Sequence, residues 1–223
     1  MRYFQRFPGL LLGVMFAATA NAQDETPEQL FSTFSRCDAS FFQALQANPA
    51  TVAAHMELSS QNGVSSPRVA NRLQEGGRYQ AFREPLVVNG VRLLGYYDEA
   101  MTLSEVGNFL FWGFVAEGDV EQVAGKLRPL VADNARFVTQ RNAVTRPEMR
   151  RVGDPIQHWR TENLPGPGNA TPFGNVERIL SVESGGDKPP FAGGSKVFCS
   201  LQGTVTAPLL QVYRPDLDAH LFD

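Results

Sequence analysis

Leu86-Val87-Val88-Asn89-Gly90-Val91-Arg92-Leu93-Leu94 is the stretch whose reading decides the fold. Two apolar runs flank Asn89-Gly90, a dipeptide that supplies the paired positive φ angles of a type I′ turn, so the stretch predicts a β-hairpin. Downstream, Phe109-Leu110-Phe111-Trp112-Gly113-Phe114-Val115-Ala116 predicts a third strand. Its apolar residues do not alternate with polar ones, so it is expected to be covered on both faces and central in a sheet. Asp119-Val120-Glu121-Gln122 then offers an N-cap with Gln at the third helical position. Val123, Ala124 and Leu127 form the inward stripe of a helix that Pro129 ends.

Upstream of the hairpin the period changes from strand to helix. Thr26-Pro27-Glu28-Gln29 combines an N-cap, a proline suited to the first helical position and a Gln able to close a capping box. Leu30, Phe31, Phe34, Phe41, Phe42 and Leu45 follow at helical spacing, with Asp38 as an internal restart. Asn48-Pro49 repeats the cap for a short helix facing inward through Val52, Ala53 and Met56. Ser59 to Gly77 is polar and reads as a connection.

Beyond the central strand, Arg136 to Gln140 is expected to add a strand, and Thr161 to Gly174, rich in Pro, Gly and Asn, a surface loop or internal linker. Val176 to Glu183 and Lys196 to Leu201 read as partner strands around the connection Ser184 to Ser195. Thr204 to Tyr213 reads as a last strand that Pro208 confines to an edge or bulge. The fold class is therefore α+β: N-terminal helices followed by antiparallel sheet with a helix packed on one face. The element order allows a duplicated α-β-β-β unit.

Met1 to Ala22 has the three regions of a secretory signal in order: Arg2 and Arg6, an apolar run from Leu10 to Ala17, and Ala20-Asn21-Ala22 before a cut at Gln23. The apolar run is far shorter than the roughly 20 residues a membrane span needs, so stable insertion is not expected. One periplasmic domain over 23–223, with a sub-boundary at most near 161–174, follows. Cys37 and Cys199 are the only two cysteines, an even number that in an oxidising compartment reads as one disulfide. The leader removes two of the 20 basic residues and none of the 23 acidic ones, which leaves a charge of about −5. Such a balance excludes a strongly basic nucleic-acid binder.

The chemistry-bearing residues are sparse. His55, His158 and His220 stand alone, without a second His or Cys at metal-ligand spacing, so no metal site or cofactor is expected. Asp98-Glu99 and Glu117, Asp119 and Glu121 form two acidic clusters, the second already explained by a helix N-terminus. Gly193-Gly194-Ser195-Lys196 lacks the surroundings of a nucleophile elbow and reads as a turn. The conspicuous polar feature is basic and aromatic: Arg136, Arg141, Arg146, Arg150, Arg151, His158, Trp159 and Arg160, opposed only by Glu148 and Asp154. Arg and Trp concentrate at the energetic centres of protein interfaces. Arg141, Arg146, Arg150, Arg151, His158, Trp159 and Arg160 are thus the candidate binding residues, and the expected partner is another protein. The function expected is a non-enzymatic exported binding protein, in concrete form an immunity protein or inhibitor covering a toxin's active site. The competing expectations are an envelope hydrolase using Glu117, Asp119, Asp98 or Glu99 with His158, and an envelope structural factor.

Overall fold

Thr26 and Gln29 close the capping box expected of them: the Gln29 N–H donates to Thr26 Oγ1 at 3.2 Å and the Thr26 N–H to Gln29 Oε1 at 2.8 Å. The computed structural model describes residues 25–140, 142–161, 164 and 170–222. The expected leader Met1–Ala22 and Arg141 lie outside the described residues, as does part of the 161–174 segment. The box starts α1 (Pro27–Phe34), which α2 (Ser40–Ala47) follows. Their buried Leu30, Phe31, Phe34, Phe41, Phe42 and Leu45 are the residues whose spacing predicted helices.

The connection after the short 3-10 turn Pro49–Val52 departs from expectation. β1 (Leu58–Gln61) and β2 (Val64–Pro67) form a hairpin where the polar sequence predicts a connection. Asn62-Gly63 makes its turn with φ of 51° and 78°, the same chemistry as Asn89-Gly90 at 45° and 74°. Serine-rich strands hid it. β2 is nevertheless buried throughout, and Ser65 Oγ donates to Gln46 Oε1 of α2 at 2.7 Å.

β3 (Tyr79–Val88), β4 (Val91–Leu103) and β5 (Gly107–Ala116) form the first antiparallel meander. α3 (Val120–Leu127) follows, and its Asp119 cap accepts the Gln122 N–H at 2.9 Å. β6 (Val138–Gln140), β7 (Ala143–Arg151), β8 (Asn175–Ser184) and β9 (Ser195–Gly203) complete the sheet, and α4 (Ala207–Tyr213) closes the fold. α4 corrects the expectation of a final strand over Thr204–Tyr213. Pro208 falls in the first helical turn, where a missing N–H leaves no intrahelical bond unmade. β7 was not foreseen, because its inward positions Val144, Arg146, Glu148 and Arg150 are mostly charged.

The seven-stranded sheet is antiparallel throughout, in the order β3-β4-β5-β9-β8-β7-β6. The third strand of one meander thus pairs with the last strand of the other. α1 and α2 cover the first meander and α3 packs on β7 and β8; because three strands follow α1 and α2 in the sheet but four follow α3, the two halves are not copies of one α-β-β-β unit. The edge beyond β6 is blunted. Met149 exchanges both backbone hydrogen bonds with Arg160, so odd-numbered positions of β7 point their N–H groups outward, and Pro147 sits there with none to offer.

The main core lies between sheet and helices. Phe34 packs on Phe114 with ring centroids 4.8 Å apart, and Trp112 is fully buried beneath Phe42. A disulfide joins Cys37 to Cys199 within this core and links the α1–α2 corner to β9. On the other face, Tyr97, Val115 and Phe198 form a smaller cluster capped by Phe191 from the β8–β9 connection. No helix among the described residues is long and apolar enough to cross a membrane.

Candidate functional site

The basic-aromatic stretch is largely internal. Arg146 is buried and donates through Nη2 to the Ser35 carbonyl at 2.8 Å, and burial lowers its pKa. Arg150 is buried too and donates to the carbonyls of Asp154 and Ile156. Trp159 donates through Nε1 to the Tyr213 hydroxyl at 2.7 Å, and that hydroxyl donates to the Ile156 carbonyl at 2.9 Å. Arg160 is half-buried, 3.4 Å from Asp154. Only Arg151 and His158 of the described set are exposed.

A residue the sequence did not single out organises this region. Arg178 of β8 donates through Nε to Glu148 at 2.9 Å and stacks 4.4 Å from the Trp159 ring centroid. Arg136 reaches the other oxygen of Glu148 at 2.7 Å. Burial alone would raise the Glu148 carboxyl, but Arg178, Arg136 and Arg146 together outweigh it and hold the pKa below the ordinary value. The only sign in the sequence is Glu148 itself, one of two acids among the arginines of 136–160.

The acidic clusters do not converge. Successive residues of β4 point to opposite faces, so Asp98 is buried under the helices 2.7 Å from Arg214, while Glu99 pairs with Arg78 at 2.7 Å on the other side. Glu117 pairs with Arg92 at 2.8 Å. Arg214 also binds Asp216 at 2.8 Å, a buried triad with no precursor in the local sequence pattern. His158 shares no hydrogen bond with these carboxylates, and His55 Nδ1 lies 2.9 Å from the Glu84 carbonyl. Among the described residues no group of three His, Cys, Asp or Glu side chains is placed to hold a metal ion.

The sheet, α3 and two connections enclose an open cleft of about 1180 Å³. One wall is the outer face of α3 with Glu121, Gly125 and Arg128. The others are the β6–β7 turn at Asn142 and the β8–β9 connection at Asp187 and Gly193. Arg128 lies 5.4 Å from the Phe137 ring centroid. Ser195 is fully buried and its hydroxyl donates to the Gly118 carbonyl at 2.8 Å, which fixes the end of β9 against the start of α3. Glu121 and Asp187 are exposed and carry no ion pair among the described residues.

Gly125 is the unusual lining residue. Glycine inside a helix costs about 1 kcal/mol relative to alanine. A Cβ at Gly125 would meet nothing within 4 Å, so no internal contact requires the glycine. The smooth helix wall it creates opens on the cleft. Comparison with known protein families, characterised proteins and solved structures finds no match to this chain.

Proposed function

We propose that the chain is a non-catalytic binding protein of an oxidising, extracytoplasmic compartment, and that its ligand is another protein inserting a segment into the α3 cleft. The observation that carries this reading is Gly125, a helix glycine that the fold itself does not need and that faces the cleft. A partner's main chain approaches most closely where no side chain intervenes. The unpaired Glu121 and Asp187 favour a segment bearing lysine or arginine, since complementary charge steers encounter and suppresses wrong partners. The disulfide fits an exported protein. Periplasmic location after removal of Met1–Ala22, and a role as an immunity protein or inhibitor of an exported toxin, complete the proposal. The separated carboxylates and His158 count against the hydrolase alternative.

The test uses the disulfide-bonded chain from Gln23 onward, titrated by calorimetry with the product of the adjacent gene. Gly125→Trp and the double variant Glu121→Lys, Asp187→Lys should each weaken binding at least about tenfold, the loss of a central anchor contact. Phe173→Ala, at a side chain 92% exposed and outside the cleft, should leave it unchanged. No binding to the wild type, or equal binding by all variants, overturns the proposal.

A further inference from the structure

At the end of the sheet away from the cleft, a pocket of about 150 Å³ opens beside the turn that follows β7. One water needs roughly 10–15 Å³ by this kind of measure, so the space suits a small organic molecule. Arg150 lies in its lining, 4% exposed. Its guanidinium is held by the main-chain carbonyls of Asp154 and Ile156, and its Nε has no partner among the described residues. A buried cation normally has an acid against it. Asp154, the acid of this turn, is shared instead: its Oδ2 accepts the Arg151 N–H at 3.0 Å and lies 3.4 Å from Arg160 Nη2, and among the described residues no hydrogen bond joins its carboxylate to Arg150. The single Asp154 carboxylate thus serves the main chain of Arg151 and the charges of both Arg160 and Arg150.

The remaining lining divides cleanly. Val152, Ile156, Val176 and Leu209 make apolar walls. Thr204 and Thr206 bring hydroxyls. The Thr204 hydroxyl accepts the Gly174 N–H at 3.0 Å and keeps its own hydrogen to donate, and Thr206 makes no capping bond.

We propose that this pocket binds a carboxylate with a short apolar tail: the threonine hydroxyls donate to its oxygens, Arg150 supplies the opposite charge and the aliphatic walls receive the tail. A doubly charged phosphate fits less well, because its second charge would also lose water against the apolar walls. This site is separate from the α3 cleft, and its occupancy does not depend on a partner bound there.

Amide NMR of the disulfide-bonded chain tests it, with sodium propionate exchanged for sodium chloride at constant ionic strength. Propionate should give saturable shifts at Gly153, Thr204, Thr206 and Leu209. Thr206→Val should weaken binding about tenfold, the worth of one hydrogen bond to a charged group. Arg150→Gln should abolish it; should that variant not fold, Thr206→Val carries the decision. Acetyl-Ala-Ala with a free carboxylate, compared with its amide, separates the sources. Tighter binding than propionate, lost in the amide, marks a protein C-terminus; tighter binding of propionate marks a free acid. Shifts that never saturate, that saturate at other amides, that survive Thr206→Val or that phosphate produces more strongly overturn the proposal.

Discussion

A methyl group added at Gly113 would press into the Val197 carbonyl of the neighbouring strand, whereas one added at Gly125 would stand in open space. The two glycines therefore make opposite predictions. Gly113→Ala in the central strand should destabilise the protein by about 1–3 kcal/mol, the usual effect of overpacking, read as a lower midpoint in urea. Gly125→Ala should raise stability by about 1 kcal/mol, read as a higher midpoint, because the helix gains and nothing is displaced. A third residue-scale prediction concerns Glu177. It is buried with only Thr171 Oγ1 at 3.1 Å and Gln202 Nε2 at 3.2 Å as donors, and burial raises its pKa above the ordinary 4.5. A carboxyl with a raised folded pKa opposes folding when ionised, and that penalty fades as pH falls through the folded value. Glu177→Gln should raise Tm at pH 7 and lose the advantage on acidification. An advantage that grows toward acid would contradict this assignment.

β7 is held by charge as much as by apolar burial. Three guanidinium groups, from Arg136, Arg146 and Arg178, act on the single carboxylate of Glu148. Removing one partner of a buried ionic cluster costs about 3–5 kcal/mol, since the others stay desolvated. Glu148→Ala should cause a loss in that range, with β7 and β8 amides losing most protection from hydrogen exchange. The pH dependence of Glu148 has the opposite sign to that of Glu177. Its pKa is lowered on folding, so its stabilisation is present above about 4.5 and is lost as pH falls through the folded value. These same charges hide β7 in the sequence: of the partners of Arg146 and Glu148, Ser35 and Arg178 lie far away in the chain and only Arg136 is near. The Thr26–Gln29 capping box, the Asp119 cap, Asn89-Gly90 and the apolar run Phe109–Ala116 are legible because their physics is local. α4 was not, since Thr204–Tyr213 is short and Pro208 suits an edge strand and a first helical turn alike.

Across the whole molecule, the Cys37–Cys199 disulfide and the β5–β9 pairing bring the two meanders and the N-terminal helices together. With 162 residues between the cysteines, the chain-entropy account assigns the bond about 5 kcal/mol. Cys37→Ala with Cys199→Ala should lower stability by about 2–5 kcal/mol in denaturant titrations. The cleft belongs to this scale as well, because its walls come from α3, the β6–β7 turn and the β8–β9 connection. No single stretch encodes it, and Gly125 becomes conspicuous only once the structure shows that no internal contact requires it. The measurement that bears most directly on the proposed function is the affinity of Gly125→Leu for the adjacent gene product. The account predicts a variant more stable than the wild type and at least about tenfold weaker in binding, as for loss of a central contact. Greater stability with unchanged affinity would show that the α3 cleft is not where the partner docks.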